Sequence, residues 1–153
     1  MSDDGIVLVA IHFDQPKLRA VAAPLAVMES SAATGAELAQ QLAAPDLRSV
    51  MVFAPGVAIN GSALIEGLIS VLGPGVTITG GLAGDAGAFA ETWTLLDAQL
   101  GSRQAVAIGF YGPSVTMAHG SFGGWQTFGP VRKVTRAVGN LLVELDGEPA
   151  LDI

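Results

Sequence analysis

Residues 48–79 read RSVMVFAPGVAINGSALIEGLISVLGPGVTIT and decide the fold. The β-branched runs 48–53 and 76–79 have the composition of strands, and leucines and isoleucines recur between them at helical spacing. Gly73-Pro74 ends the helical pattern. A strand, helix and strand within about thirty residues have the length of a right-handed βαβ crossover, which makes the two strands parallel neighbours.

Helices are predicted on both sides of the first of these strands. Thr34 and Glu37 have the spacing of a capping box, and apolar residues at helical intervals follow them up to Pro45. In the second helix, Asn60 or Ser62 provides the N-cap.

Short apolar or β-branched runs predict further strands elsewhere in the chain. These are a buried strand at 5–13, a strand near 22–28, and strands at 92–96, 105–111, 115–118, 131–137 and 141–145. Turn residues join the later runs, so antiparallel pairing is the economical arrangement, and Pro149 is placed to open a helix. We therefore expect an α/β fold, with a mixed β-sheet, a βαβ crossover followed by antiparallel strands, and helices packed on the sheet.

The composition limits the class of protein. The chain has 153 residues, half of them apolar, no cysteine, and a formal net charge of −7, which predicts one domain over residues 1–153 without disulfides or thiolate metal sites. The negative charge disfavours nucleic acid and anionic membranes as partners. No apolar stretch approaches the ~18 residues that span a bilayer, and no basic amino-terminal signal is present, so a cytoplasmic location is expected. The mean hydropathy of +0.53 indicates an exposed apolar face, so the chain is a candidate homo-oligomer.

Glycines follow the second strand of the crossover. The segment 80–85 reads GGLAGD, and ligands of open α/β sheets bind at this carboxyl edge. The segment lacks the spacing of the known phosphate-binding glycine motifs. Gly80 and Gly81 are expected to allow a backbone conformation that other residues rarely adopt. As an alternative, they also let a ligand approach the backbone closely. Asp85 either caps a turn or faces the pocket.

The chain has two histidines, too few for a multi-histidine metal site. His12 lies in the first apolar run and is expected to be a core or interface side chain. His119 opens a loop of small and aromatic residues that includes Trp125, which suits a flat apolar ligand, with a structural loop histidine as the alternative. Arg132 and Arg136 share one side of a predicted strand and either bind an anion or pair with nearby acids.

Signatures of catalysis are weak in this sequence. No GxSxG elbow occurs, and the acidic residues at 144–152 are spaced like a solvated turn. A hydrolase using Asp85 and His119 and a structural oligomerisation module remain alternatives from other classes.

Several segments, in order, resemble one family. GAELAQQLAAPDLRSVMVF, TGGLAGDAGAF with the later Thr92, and above all GGWQTFGPVRKVTRAVGNLLVELDGEPALDI at 123–153 are similar to the N-terminal portion of FIST domains, named for F-box and intracellular signal transduction proteins. The resemblance covers residues 27–153 and implies a fragment of a longer protein, because the C-terminal half of the family pattern is absent.

The resemblance implies a non-catalytic sensory domain. Such a domain binds a small molecule and relays its state to a histidine kinase, a chemoreceptor or a cyclic-dinucleotide enzyme. The ligand-binding residues expected here are Gly80, Gly81, Asp85, His119, Trp125 and Arg132. Some members are haem proteins that sense nitric oxide, and in that case His119 is the expected axial ligand, with His12 as the fallback.

Overall fold

The computed structural model describes residues 6–14, 17–120, 123, 126–139 and 141–152. They fall into two compact units, one ending at His119 and the other starting at Gly120. Each unit is described by itself.

The first unit alternates strands and helices before it becomes all β. Its elements are β1 (Lys17–Pro24), a 3-10 turn (Met28–Ser30), α1 (Ser31–Leu42), β2 (Leu47–Ala54), α2 (Gly61–Leu72), β3 (Thr77–Leu82), β4 (Thr94–Leu96), β5 (Gln99–Gly101) and β6 (Gln104–Tyr111). Four strands form a sheet in the order β1-β6-β2-β3, and β4 pairs with β5 as a hairpin. In the sheet β6 is antiparallel to both β1 and β2, which confirms the predicted mixed α/β sheet.

The crossover is present as predicted. Strands β2 and β3 are parallel, with Val52 opposite Gly80 and Ala54 opposite Leu82. The connecting helix α2 is capped by Asn60, whose Oδ1 accepts the Ala63 N–H at 3.1 Å. At its other end Gly73 has a φ of +73°, a left-handed conformation that glycine adopts without strain.

The core lies where both helices cover one face of the sheet. Leu38 and Leu42 of α1 and Leu68 of α2 are fully buried, and they belong to one cluster with Val50 and Val52 of β2. Alternate β2 residues therefore point toward the helices, because strand side chains alternate between faces.

Helix α1 begins earlier than the capping box predicts. It starts at Ser31, so Thr34 already lies in the first turn, where its hydroxyl donates to the Pro24 carbonyl oxygen at 2.7 Å. The buried Ser31 hydroxyl donates to the Met28 carbonyl oxygen and accepts the Asn60 N–H at 3.0 Å. The Thr34 hydroxyl also donates to the Ser30 carbonyl oxygen at 3.1 Å. This end of the helix therefore combines local bonds with bonds across the fold, and Thr34 is not its N-cap.

The predicted first strand is wrong. Residues 6–13 form no strand and are exposed; Ile6 is 98% and Leu8 is 90% accessible. The first strand of the chain is instead β1, which pairs with β6. It begins at Lys17 and overlaps only the start of the strand expected near 22–28. The apolar run therefore has no strand partner among the described residues.

Two further expectations fail toward the end of the chain. Residues 115–118 form no strand. In the second unit β7 (Val134–Val138), β8 (Leu141–Leu145) and β9 (Glu148–Pro149) form an antiparallel sheet, so the hairpin is confirmed. Pro149 lies in β9 rather than opening a helix, because Glu148 pairs with Leu145 immediately after the turn.

None of the helices in the described segments is long and apolar enough to cross a membrane.

Candidate functional site

Two adjacent glycines at the end of β3 have different roles. Gly80 has a φ of +145°, and a Cβ there would lie 1.8 Å from the Val52 carbonyl oxygen. The close approach of β2 therefore requires glycine at this position. A Cβ at Gly81 would meet nothing within 4 Å, so open space lies beside its backbone.

A cleft of about 360 Å³, here called the helix-side cleft, lies between α2 and the end of β3. Leu64 and Ile65 of α2 and Ile78 of β3 supply apolar walls, and Gly80, Gly81 and His119 complete the lining together with Val52, Ala54, Gly61, Thr79 and Leu82. His119 is the one titratable side chain among these residues. The structure thus brings three of the predicted ligand-binding residues into one cleft at the carboxyl edge of two parallel strands.

A second cleft, here called the open-face cleft, lies against the same glycines and has a volume of about 500 Å³. Phe53, Trp93 and Val106 line it. Strand alternation directs Phe53 away from the face that carries Val52. The end of β3 is therefore flanked by apolar space on both faces of the sheet.

Asp85 organises the loop that follows the glycines. Its carboxylate accepts the N–H of Ala90 at 2.7 Å and that of Phe89 at 3.1 Å. These hydrogen bonds, that of Ala90 first, hold the pKa of Asp85 below its usual value of 3.8. Asp85 is absent from the residues that line the two clefts. The geometry favours the turn-capping role over a direct contact with a ligand.

Thr92 ties the loop after β2 to the loop after β3. Its side chain accepts the Gly56 N–H at 2.8 Å, and the residue is 3% exposed. Both strand-end loops are thereby fixed to each other beside the clefts. Local sequence patterns do not predict this hydrogen bond, because it joins residues 36 positions apart.

The FIST N domain family model matches residues 1–148. The chain belongs to the FIST family. FIST domains are sensory domains of signal transduction, and the family is generally non-catalytic. No curated protein and no solved structure matches this FIST N domain.

His12 of this FIST N domain lies outside the core. Its side chain is 89% exposed, and its Nδ1 lies 3.6 Å from the Asp14 carboxylate. Of the two expected positions for His12, the core is wrong, because the run that carries it is not part of the sheet, and the interface stays a prediction.

The remaining predicted site residues belong to the second unit of the FIST N domain. Trp125 lies outside the described residues. Arg132 pairs with Asp146 at 3.4 Å and Arg136 with Glu144 at 3.0 Å. Both arginines have carboxylate partners, as the ion-pair alternative requires, and this leaves less positive charge for an anion.

Metal ligands do not cluster in the described part of the FIST N domain, since no group of three or more His, Cys, Asp or Glu side chains could hold an ion there. The glycines and His119 are predicted from the sequence and lie in the lining of a cleft, whereas the sequence does not predict Ile65, Ile78, Phe53 and Trp93 as cleft walls. The signal available was the apolar pattern of α2 and β2, which predicts burial without indicating which side chains border open space.

Proposed function

We propose that this FIST N domain is a sensory domain that binds a small, largely apolar molecule in the helix-side cleft. The observation that carries the proposal is the meeting of His119 with Gly80 and Gly81 in one apolar cleft. Apolar walls with a small number of polar groups are typical of small-molecule sites, and about 360 Å³ is within their usual size range.

Each of these residues has a distinct proposed role. The backbone of Gly81 borders the cleft, whereas Gly80 keeps β3 close to β2. His119 provides one hydrogen bond from its imidazole, which fixes the orientation of the ligand. Asp85 is a positioning residue, because it holds the loop that continues from the glycines through the N–H groups of Phe89 and Ala90.

The arrangement supports binding rather than hydrolysis. A hydrolytic base needs a nucleophile or water partner and a third group that orients it. In the part of the chain that the structure describes, no side-chain hydrogen bond joins His119 to a serine or a carboxylate, and the Asp85 carboxylate is occupied by backbone amides. We propose that ligand binding is passed to a separate signalling protein, such as a histidine kinase, a chemoreceptor or a cyclic-dinucleotide enzyme.

Equilibrium dialysis against a panel of small, largely apolar metabolites that carry one hydrogen-bonding group tests the proposal. The blocking variant is Gly61→Val, which adds a branched side chain to the cleft lining at a position where the Cβ has only an ordinary 3.7 Å contact with Leu82. The matched control is Gly75→Val, at a glycine with open space around it that lies outside the cleft lining. We expect saturable binding of a panel compound that Gly61→Val weakens or abolishes and Gly75→Val retains. The proposal is wrong if no compound binds or if both variants bind equally.

A second candidate function is haem-based sensing, and the observation that favours it is the imidazole of His119 at the border of an apolar cleft. The lining of the helix-side cleft provides one axial ligand, the His119 imidazole, and apolar walls for the haem ring. It contains no Lys or Arg to pair with the haem carboxylates. Haem would supply an iron atom that binds nitric oxide. Titration with haemin tests this candidate. A saturable Soret shift lost in His119→Ala and kept in His12→Ala supports it, and a shift that His119→Ala retains excludes His119 as the ligand.

A further inference from the structure

The amino-terminal run, residues 6–13, has the composition of a strand but pairs with no strand in the part of the chain that the structure describes. Seven of its eight residues, IVLVAIHF, are apolar, and none is Asp, Glu, Lys or Arg. Ile6 is 98%, Val7 is 86% and Leu8 is 90% exposed. A run of β-branched residues has high strand propensity, and so much contiguous apolar surface is unusual on a monomer. This run is therefore suited to pairing with another strand.

The edge of the sheet formed by β3 is open to such pairing. β3 lies at the end of the order β1-β6-β2-β3, and no strand of the described chain pairs with its outer side. Its sequence, TITGGL, contains no charge and no proline. Proteins usually protect open edges with charged residues or proline, because unpaired N–H and C=O groups recruit other strands.

The opposite edge of the same sheet is protected. β1 carries Lys17, Arg19 and Pro24, residues that discourage strand addition. The two edges differ in this respect, so the lack of protection on β3 is specific to that strand. An unprotected edge is expected where a strand is normally added.

The surroundings of β3 match the amino-terminal run on both faces. The helix-side cleft and the open-face cleft lie on opposite sides of Gly80 and Gly81. A strand laid beside β3 directs alternate side chains to these two sides. Both sets of alternate residues in the run are apolar apart from His12, as is typical of a strand covered on both faces.

The run that pairs with β3 has to come from another copy of the chain. The ring of Phe13 contacts that of Phe110 on β6 with centroids 6.0 Å apart. β6 is separated from β3 by β2. Ile11 and Phe13 also border one cleft with Met51 of β2 and Phe110, so the end of the run is held over the face of its own sheet rather than beyond the edge of β3. A second copy removes this constraint.

We propose that residues 6–13 of one copy add as a strand to the free edge of β3 in a second copy, and that the exchange is reciprocal. The resulting dimer has twofold symmetry and covers two apolar runs and two open edges. The added strand also forms an outer wall for the clefts beside β3. This proposal concerns association and stands independently of any ligand.

Sedimentation velocity of the 153-residue chain over a wide concentration range tests the association. The disrupting variant is Val7→Lys with Val9→Lys, at positions 86% and 73% exposed, so the unit keeps its own contacts. The control is Leu100→Lys, at a residue 67% exposed on β5. We expect a dimer for the wild type and the control, and at least about a tenfold higher dissociation constant for the disrupting variant.

Hydrogen exchange of the same samples locates the contact. We expect slow exchange of the outward-pointing β3 amides and of residues 6–13 in the wild-type dimer, and fast exchange of both sets in the disrupting variant, in which the β3 amides bonded to β2 stay protected. A monomer at every concentration overturns the proposal, and so does a dimer that the disrupting variant retains. A dimer in which β3 exchanges as fast as in the variant overturns it as well. None of these readouts involves a ligand, so a failure of the sensory proposal leaves them unchanged.

Discussion

Gly35 of α1 and Gly67 of α2 lie reciprocally against the backbone of the opposite helix. A Cβ on Gly35 would lie 2.1 Å from the Leu64 carbonyl oxygen, and one on Gly67 would lie 2.1 Å from that of Ala32. The helices are in backbone contact at this crossing, and a methyl group on either side has no space. The crossing fixes α2 above the sheet and thereby sets one wall of the helix-side cleft.

Alanine at either crossing glycine should destabilise the protein. We expect Gly35→Ala and Gly67→Ala each to lower the free energy of unfolding by about 3 kcal/mol, because the helices have to move apart. Urea unfolding measures this. Gly61→Ala is the control, since its Cβ would have only an ordinary contact at 3.7 Å with Leu82, and it should stabilise α2 by about 0.5 kcal/mol. Equal stability of the three variants would show that the crossing is not tight.

The buried Tyr111 hydroxyl anchors the end of α1. It donates to the Leu42 carbonyl oxygen at 2.7 Å, at a helix terminus where carbonyl groups lack helical partners. We expect Tyr111→Phe to lower the free energy of unfolding by about 1–2 kcal/mol, because the carbonyl group stays buried without its donor. Denaturant unfolding at neutral pH is the measurement, and an unchanged midpoint would contradict the assignment.

Ionisation of Tyr111 should destabilise the protein at alkaline pH. Burial, with a contribution from the Asp46 carboxylate, raises its pKa above 10.0 against the opposing effect of Arg19. The folded state favours the neutral phenol, so this stabilisation is complete below pH 10 and is lost as pH rises through the raised pKa. Tyr111 is the only tyrosine, so phenolate absorbance reports it alone. A phenolate titration midpoint at or below that of the unfolded chain would show that the pKa of Tyr111 is not raised.

The Asp85 loop should respond to acid. Since the pKa of Asp85 is lowered by the amides of Ala90 and Phe89, the loop bonds are stable above pH 3.8 and are lost as pH falls through the lowered pKa. We expect the amide resonances of Ala90 and Phe89 to shift together with a midpoint below 3.8. Asp85→Asn should abolish the shift. A midpoint above 3.8 would indicate that the carboxylate does not accept these bonds.

Thr92 should control the mutual position of the two strand-end loops. Thr92→Val removes the acceptor for the Gly56 N–H, and we expect a loss of about 1 kcal/mol in stability together with faster exchange of the Gly56 amide. Thr92→Ser retains the hydroxyl and should preserve slow exchange. Slow exchange in Thr92→Val would show that the amide has another acceptor.

The crossover was predictable because its signals are local. Asn60 caps α2 and Gly73 ends it within the helix's own turns, and the β-branched runs on either side require a parallel pair once a helix joins them. The start of α1 differs from the prediction by four residues, since its N-cap is Ser30 and not Thr34. The Thr34 hydroxyl donates to the Pro24 and Ser30 carbonyl oxygens instead of capping the helix. Local sequence does not encode that choice.

The failure at residues 6–13 has a different origin. Their composition predicts a buried strand, and the propensity is real, but burial needs a partner edge that the sequence does not specify. Similarly, the pairing of His119 with Gly80 and Gly81 in one cleft depends on how segments far apart in sequence meet. Glycine and histidine could be identified as candidates, whereas the apolar walls could be found only in the fold.

Amide chemical-shift mapping of the chain with a panel of small, largely apolar metabolites and with haemin is the most direct test of ligand binding in the helix-side cleft. We expect at least one compound to cause saturable shifts at Gly80, Gly81 and His119, and we expect Gly61→Val to reduce them while Gly75→Val keeps them. Shifts that map away from the helix-side cleft, or no saturable shift for any compound, would contradict it.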